Sequence, residues 1–266
     1  MSTPRIAYRD IVKRFAASDR RRPEEAVTAV RDVSLTIADG EIVSLIGPSG
    51  CGKSTLLNMG AGLYGPTEGE VFVDGERVEG PNDHVAFMLQ KDLLLPWRTI
   101  RDNVELGQEI KGTAGTAGRE KALALLERCH LSQFAEHFPH QLSGGMRQRA
   151  ALARTLAVDP SVLLMDEPFS ALDAQTKMVL QQDLATTLQS ENKTALFITH
   201  DLAEAVALSH RVLVMSARPG TIIREIPIDL PHMFNPMRRR QAPEMGDYVS
   251  ELMGLLHIGE ETEAAA

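Results

Sequence analysis

With 266 residues, and about 150 per domain as a guide, the chain has room for one large domain or for a core carrying a subdomain. Its 43% hydrophobic and 24% charged residues are ordinary globular usage and exclude disorder over most of the length, while 36 acidic against 28 basic residues, a net charge of −8, disfavour non-specific binding to a polyanion. Two cysteines, Cys51 and Cys129, make neither a disulfide framework nor a metal site and fit a reducing compartment.

The first hundred residues read as strands and tight turns. Val33, Leu35 and Ile37 alternate with polar positions, the mark of a half-buried strand. Ile42 to Ile46 is nearly all apolar, as in a strand covered on both faces. Gly69 to Gly75 predicts a hairpin turning at Asp74-Gly75, and His84 to Leu89 another short strand. From Arg119 the period changes. Ala122, Leu125, Leu126 and Cys129 fall on one helical face, and so do Met146, Ala150, Ala153 and Ala157. Strands return at 162–165, 195–198 and 212–215, with helices near 175–190 and 201–209 between them, an alternation that predicts a parallel α/β sheet.

Residues 91–159 carry no strand signal and read as a helical subdomain inserted into an α/β core made of 1–90 and 160–225. The remaining 226–266 form a C-terminal extension with one helix marked by Met245, Tyr248, Val249, Leu252 and Leu256. The tail from Glu260 reads as frayed, and two arginine triplets, Arg20–Arg22 and Arg238–Arg240, as solvated loop charge. No apolar run exceeds five residues, the length of Ala122 to Leu126, far short of the roughly 20 that cross a bilayer, and the first thirty residues hold no secretory core.

The strongest local signal is Gly47-Pro48-Ser49-Gly50-Cys51-Gly52-Lys53-Ser54, followed by Thr55, which fits G-x-x-x-x-G-K-[ST] between a buried strand and a helix. Glycines let successive N–H groups turn inward onto phosphate oxygens, Lys53 adds a full charge for the β- and γ-phosphates, and Ser54 offers a hydroxyl to Mg2+. Next, the apolar run Val162 to Met165 ends in Asp166-Glu167, two carboxylates at the edge where open α/β sheets bind ligands. Asp166 suits a Mg2+ ion and Glu167 a water to be deprotonated. Third, Leu142-Ser143-Gly144-Gly145-Met146-Arg147-Gln148-Arg149 reads as a second anion site, a serine cap and two glycines opening an alanine-rich helix.

The order of phosphate loop, Leu-Ser-Gly-Gly-x-x-Gln-Arg and apolar strand with Asp-Glu resembles the ATP-binding cassette (ABC) ATPases over about residues 5 to 225. The resemblance implies a P-loop NTPase core with a mostly parallel sheet, an N-terminal antiparallel β subdomain and an inserted helical subdomain. It also implies roles. Gln90 is similar to the loop glutamine near Mg2+ and the attacking water, His200 to the histidine at the γ-phosphate, and Ser170 to Asp173 to the loop joining two active sites. Phe15 is similar to the aromatic that stacks on adenine, with Tyr8 as its rival. ATP then binds with Mg2+ between Lys53 of one copy and Ser143, Gly144, Gly145 and Gln148 of another, in a homodimer whose two-fold interface is self-complementary.

Leu94-Leu95-Pro96-Trp97 and Arg218-Pro219-Gly220 resemble importers of the nitrate, sulfonate and taurine type. That implies a peripheral subunit on the cytoplasmic face of the membrane, bound to permease subunits and through them to a substrate-binding protein. Trp97, the only tryptophan, either packs internally or anchors a permease helix. The alternatives are an importer of another small substrate and a soluble ABC-type ATPase acting on nucleic acid or ribosomes. The absence of a heptad run, the single cassette and the acidic balance speak against the second, and no nucleic-acid partner is expected.

Overall fold

A computed structural model describes residues 3–16 and 26–258, so Arg20–Arg22 and the tail from Glu260 lie outside the described residues. The chain opens with antiparallel β1 (Ile6–Phe15) and β2 (Val27–Ile37). In β2, Val33, Leu35 and Ile37 are buried and the residues between them exposed, so the alternation read from sequence sets the inner face. Then come β3 (Ile42–Ile46), buried at every residue, and α1 (Lys53–Gly60). β4 (Glu68–Val73) turns through Asp74 and Gly75, at φ of +53° and +80°, into β5 (Glu76–Arg77), as a two-residue hairpin loop requires. After β6 (Val85–Met88) the strands stop.

Residues 91–159 contain α2 (Ile100–Ile110), α3 (Thr116–Arg128) and α4 (Gly144–Ala157). Ile100, Val104, Ala122, Leu126, Leu131, Ala150 and Ala153 form an apolar cluster of their own there. Full burial of one such Leu or Ile contributes about 1.5–3 kcal/mol. The chain then re-enters the core through β7 (Val162–Asp166), α5 (Ala174–Ser190), β8 (Thr194–Ile198), α6 (Leu202–Leu208) and β9 (Arg211–Met215).

Two sheets result. One is antiparallel, in the order β2-β1-β4-β5. The other runs β10-β9-β3-β8-β7-β6, where β10 (Ile222–Pro227) pairs antiparallel on the edge and the five others are parallel. Val43, Leu45, Leu56 and Leu57 join the two sheets in one core, while Leu163, Met165, Leu180 and Leu184 pack the other face against α5.

The extension adds α7 (Pro236–Arg239) and α8 (Met245–Leu255), whose Met245 and Leu252 pack with Ala205, Val206 and Val212. Here one expectation fails. Arg239, read as solvated charge, is 0% exposed, and its guanidinium donates to the carbonyls of Ala207, Ser209 and Ile228. Burial pushes it down to about 10, which leaves it cationic at neutral pH.

Candidate active site

β3, β8, β7 and β6 lie side by side and parallel, so their carboxyl ends share one edge. β3 runs into the loop Gly47–Ser54, β8 into Thr199 and His200, β7 ends at Asp166 with Glu167 next, and Gln90 follows β6. Residues up to 153 positions apart (Gly47 to His200) thus converge through strand order alone.

The loop's shape depends on glycine at Gly52. Its φ is +110°, and an added Cβ would stand 2.7 Å from Val30 Cγ2 and 2.9 Å from the Ala29 carbonyl. Gly52 is also the N-cap of α1 and supplies no side-chain cap, so the helix start keeps N–H groups for an anion. Lys53 Nζ spans the loop, donating to the carbonyls of Gly47 (2.8 Å) and Pro48 (2.9 Å). Cys51 is 1% exposed, its Sγ 3.8 Å from Lys53 Nζ, and it does not line the cleft in front of the loop.

Asp166 is 8% exposed. Burial raises its carboxyl above the ordinary value, the charge of Glu167 adds to this, and a hydrogen bond with Ser54 and the charge of Lys53 oppose it. Glu167 sits at φ +51°, a left-handed backbone unusual for a non-glycine residue, which costs about 1–3 kcal/mol and persists only where neighbours enforce it. The neighbours are identifiable. Its N–H donates to the Ile198 carbonyl (3.0 Å), and its own carbonyl accepts from Gln148 Nε2 (3.0 Å) and Ser170 Oγ (3.1 Å). Its carboxylate is held from two strands, by Gln90 Nε2 on Oε2 (3.0 Å) and His200 Nδ1 at Oε1 (2.9 Å).

A cleft of about 530 Å³ opens in front of these groups. It is lined by Ser49, Gly50, Gly52, Lys53, Ser54 and Thr55 of the loop and helix start, by Gln90, Asp166 and Glu167, and by the apolar Phe15, Val27 and Ala29. Cavities of this size take small organic ligands. Phe15 is 39% exposed, with Tyr64 edge-on to it at 5.8 Å. Tyr8 is 1% exposed and donates to the Leu56 carbonyl under α1, so the rival aromatic belongs to the core.

Several sequence-derived positions lie elsewhere. Ser143 caps α4, accepting from the Met146 N–H at 3.3 Å, and neither it nor Gly144 and Gly145 lines the cleft. Asp173 caps α5, accepting from Thr176 N–H at 3.0 Å. Gln148 needs a correction as a ligand-binding residue. It is 4% exposed, and both ends of its carboxamide are engaged within the chain, donating to the Glu167 carbonyl and accepting from the Ala171 N–H (2.9 Å). It braces the Glu167 backbone instead. Sequence reasoning also missed Arg218 as a site residue. It lines the cleft and grips the phosphate loop through Nε and Nη2, 3.1 and 2.9 Å from the Gly50 carbonyl. The signal was its place just after a strand that neighbours β3.

Comparison with known proteins agrees with this architecture. Residues 30–170 match the family described as ABC transporter. The nitrate import ATP-binding protein NrtD of Synechocystis is 44% identical, over 91% of this chain and 93% of that protein. The chain belongs to the ABC transporter family. Among other ABC relatives, the taurine import ATP-binding protein TauB of Yersinia pestis bv. Antiqua is 46% identical over 76% of this chain and 79% of its own length. The ABC cassette MJ0796, solved as a dimer in a post-hydrolysis state bound to ADP and Pi, superposes with a TM-score of 0.76 at 35% identity, covering 84% of this chain and 98% of that one. The chain is therefore an ABC-type ATPase subunit, on the P-loop fold of that family.

Proposed function

We propose that this ABC ATPase energises a membrane importer for a small anion such as nitrate, sulfonate or taurine. It works as a homodimer at the cytoplasmic face of the membrane, bound to permease subunits and through them to a substrate-binding protein. The observation that carries the hydrolytic part is the grip of Gln90 and His200 on the Glu167 carboxylate, opposite Lys53 and beside Asp166. Similarity to NrtD and TauB supports the importer and the anion class.

In this reading Phe15 covers the adenine, and the loop amides from Gly47 to Thr55 with Lys53 hold the phosphates. Lys53 exchanges two neutral carbonyls for charged oxygens, a stronger hydrogen bond. Ser54, Asp166 and Gln90 form an all-oxygen set that suits Mg2+, and the burial that raises the Asp166 carboxyl is relieved by a cation beside it. Mg2+, when bound, supplies charge that neutralises the phosphate oxygens. Glu167 takes a proton from water while that oxygen bonds to the γ-phosphorus and the β–γ bridging oxygen leaves with ADP. Gln90 and His200 fix which carboxylate oxygen faces the water.

Ser143, Gly144 and Gly145 lie outside their own chain's cleft, which supports their closing the cleft of a second copy, with Asp173 in the loop between the two sites. ATP is then a ligand of the closed pair. Shifting a 1:99 equilibrium to 99:1 takes about 5.5 kcal/mol of differential binding, divided over two nucleotides. Residues 91–159 act as the arm that carries this element. Trp97, at 71% exposure, is outside the core, which favours its anchoring a permease helix. No helix among the described residues is long and apolar enough to cross a membrane.

The test is purification of the tagged full chain from its native cells, then reconstitution with whatever co-purifies. Multi-span membrane proteins that support ATP-driven vesicle uptake of nitrate, taurine or an alkanesulfonate are expected. Co-purification with ribosomes or nucleic acid in place of membrane proteins contradicts the reading.

A further inference from the structure

The short helix α6 begins two residues after His200 and is held from outside at both ends. At its start, Asp201 Oδ1 accepts from the Glu204 N–H (3.0 Å), and Lys177 Nζ of α5 bridges Asp201 Oδ2 (2.7 Å) and Glu204 Oε2 (2.6 Å). Gln181 of α5, 0% exposed, donates to the same Glu204 oxygen at 2.9 Å. At its end, Arg239 of α7 donates through Nη1 to the carbonyls of Ala207 (3.3 Å) and Ser209 (2.8 Å), and through Nη2 to Ile228 (3.3 Å). The neighbouring Arg240 donates to Gln181 Oε1 at 3.0 Å. Two consecutive arginines of the C-terminal extension therefore reach both ends of one helix, one directly and one through Gln181.

A fully buried guanidinium is an expensive way to hold a helix if apolar packing suffices. What it does here that an apolar side chain does not is fix direction. One arm of its planar guanidinium meets the Ala207 carbonyl in the last turn of α6 and that of the C-cap Ser209, at a helix end where carbonyls lack intrahelical partners, and the other arm ties that end to Ile228. The chain two residues before α6 carries His200, whose Nδ1 lies 2.9 Å from Glu167 Oε1. A displacement of about 1 Å there loses the hydrogen bond that orients the base. We propose that Arg239, seconded by Arg240, is a positioning residue for His200, acting through α6, so that the C-terminal extension helps set the rate of ATP hydrolysis. This rests on the role proposed above for His200.

The test is a double-variant cycle on the full chain, with ATPase rates for wild type, His200→Ala, Arg239→Met and the pair. We expect Arg239→Met to lower kcat about tenfold with KM for ATP within about twofold, and to cause no further loss in the His200→Ala background, since residues acting as one unit are not additive. Equal losses in both backgrounds, or a loss in KM alone, overturn the proposal. If Arg239→Met does not fold, Arg240→Met replaces it. About a threefold loss in kcat that vanishes without His200 supports the coupling, and an unchanged rate refutes it. An unimpaired His200→Ala enzyme refutes the site reading itself and is told apart by that single variant.

Discussion

The two helix starts to which the proposed function gives the same nucleotide are finished differently. α1 opens on Gly52, in a left-handed conformation without a side-chain cap, and its Lys53 shares a cleft with Asp166 and Glu167 of the same chain. α4 opens on Ser143, in extended conformation with its hydroxyl on the Met146 N–H, and stays outside that cleft. The first is a half-site with its chemistry attached. The second is a self-capped surface that keeps its shape without a ligand. The proposed two-copy site uses this difference, one chain supplying the reactive groups and the other the α4 start that closes over them.

The sharpest break in the comparison is Lys53→Ala. It removes the cation that the phosphate loop itself carries, and ATPase activity is expected to fall to background, with ATP affinity by calorimetry weakened roughly 10–100-fold. Unchanged affinity and rate would refute the phosphate-loop role. Glu167→Gln keeps the shape of that half-site and removes only its base. Turnover should slow by at least about a hundredfold while ATP still binds, and near-normal turnover would take Glu167 out of its role.

The two glycines separate the helix starts more finely. At Gly52 a methyl group meets Val30 and the Ala29 carbonyl, so Gly52→Ala is expected to cost about 1–3 kcal/mol and to weaken ATP binding by the monomer. At Gly144 the nearest atom to an added Cβ is Arg147 Nη2 at 3.8 Å, so Gly144→Ala should leave the melting temperature and monomer ATP affinity unchanged and impair only nucleotide-dependent pairing. Equal effects at both positions would erase the distinction.

The smallest effect concerns Asp166. Burial raises its carboxyl above 3.8, so the ionised side chain destabilises the folded protein. The penalty is full above the folded value and is relieved as pH falls through it toward the unfolded one. Asp166→Asn should therefore raise the melting temperature at neutral pH by about 2–4 °C per kcal/mol relieved, with the gain shrinking as the solution is acidified. A gain independent of pH would point to packing.

What the sequence disclosed and what it hid follow one line. The phosphate loop and the Asp166-Glu167 step are local patterns, glycines fixing a turn and an apolar run ending in charge, and local patterns survive folding. Arg239 was misread because a charge run is ordinarily solvated, and its carbonyl partners on Ala207 and Ser209 are 32 and 30 residues away. Gln148 sits inside a recognisable motif, yet its partners across the fold, Glu167 and Ala171, decide its work. Phe15 and Tyr8 share one strand whose register shifts between Tyr8 and Arg14, so alternation alone does not say which faces the cleft. β10, with exposed Arg224 and Glu225, has the charged pattern of a protected edge strand, which hides its apolar signal.

In the proposed function, two copies close on shared ATP. Sedimentation of purified Glu167→Gln protein with and without ATP and Mg2+ tests it most directly. A monomer without nucleotide and a dimer with ATP are expected, and the dimer should be lost when Gly144→Ala or Lys53→Ala is added. A protein that stays monomeric with saturating ATP at high concentration, alone and with its permease, would contradict it.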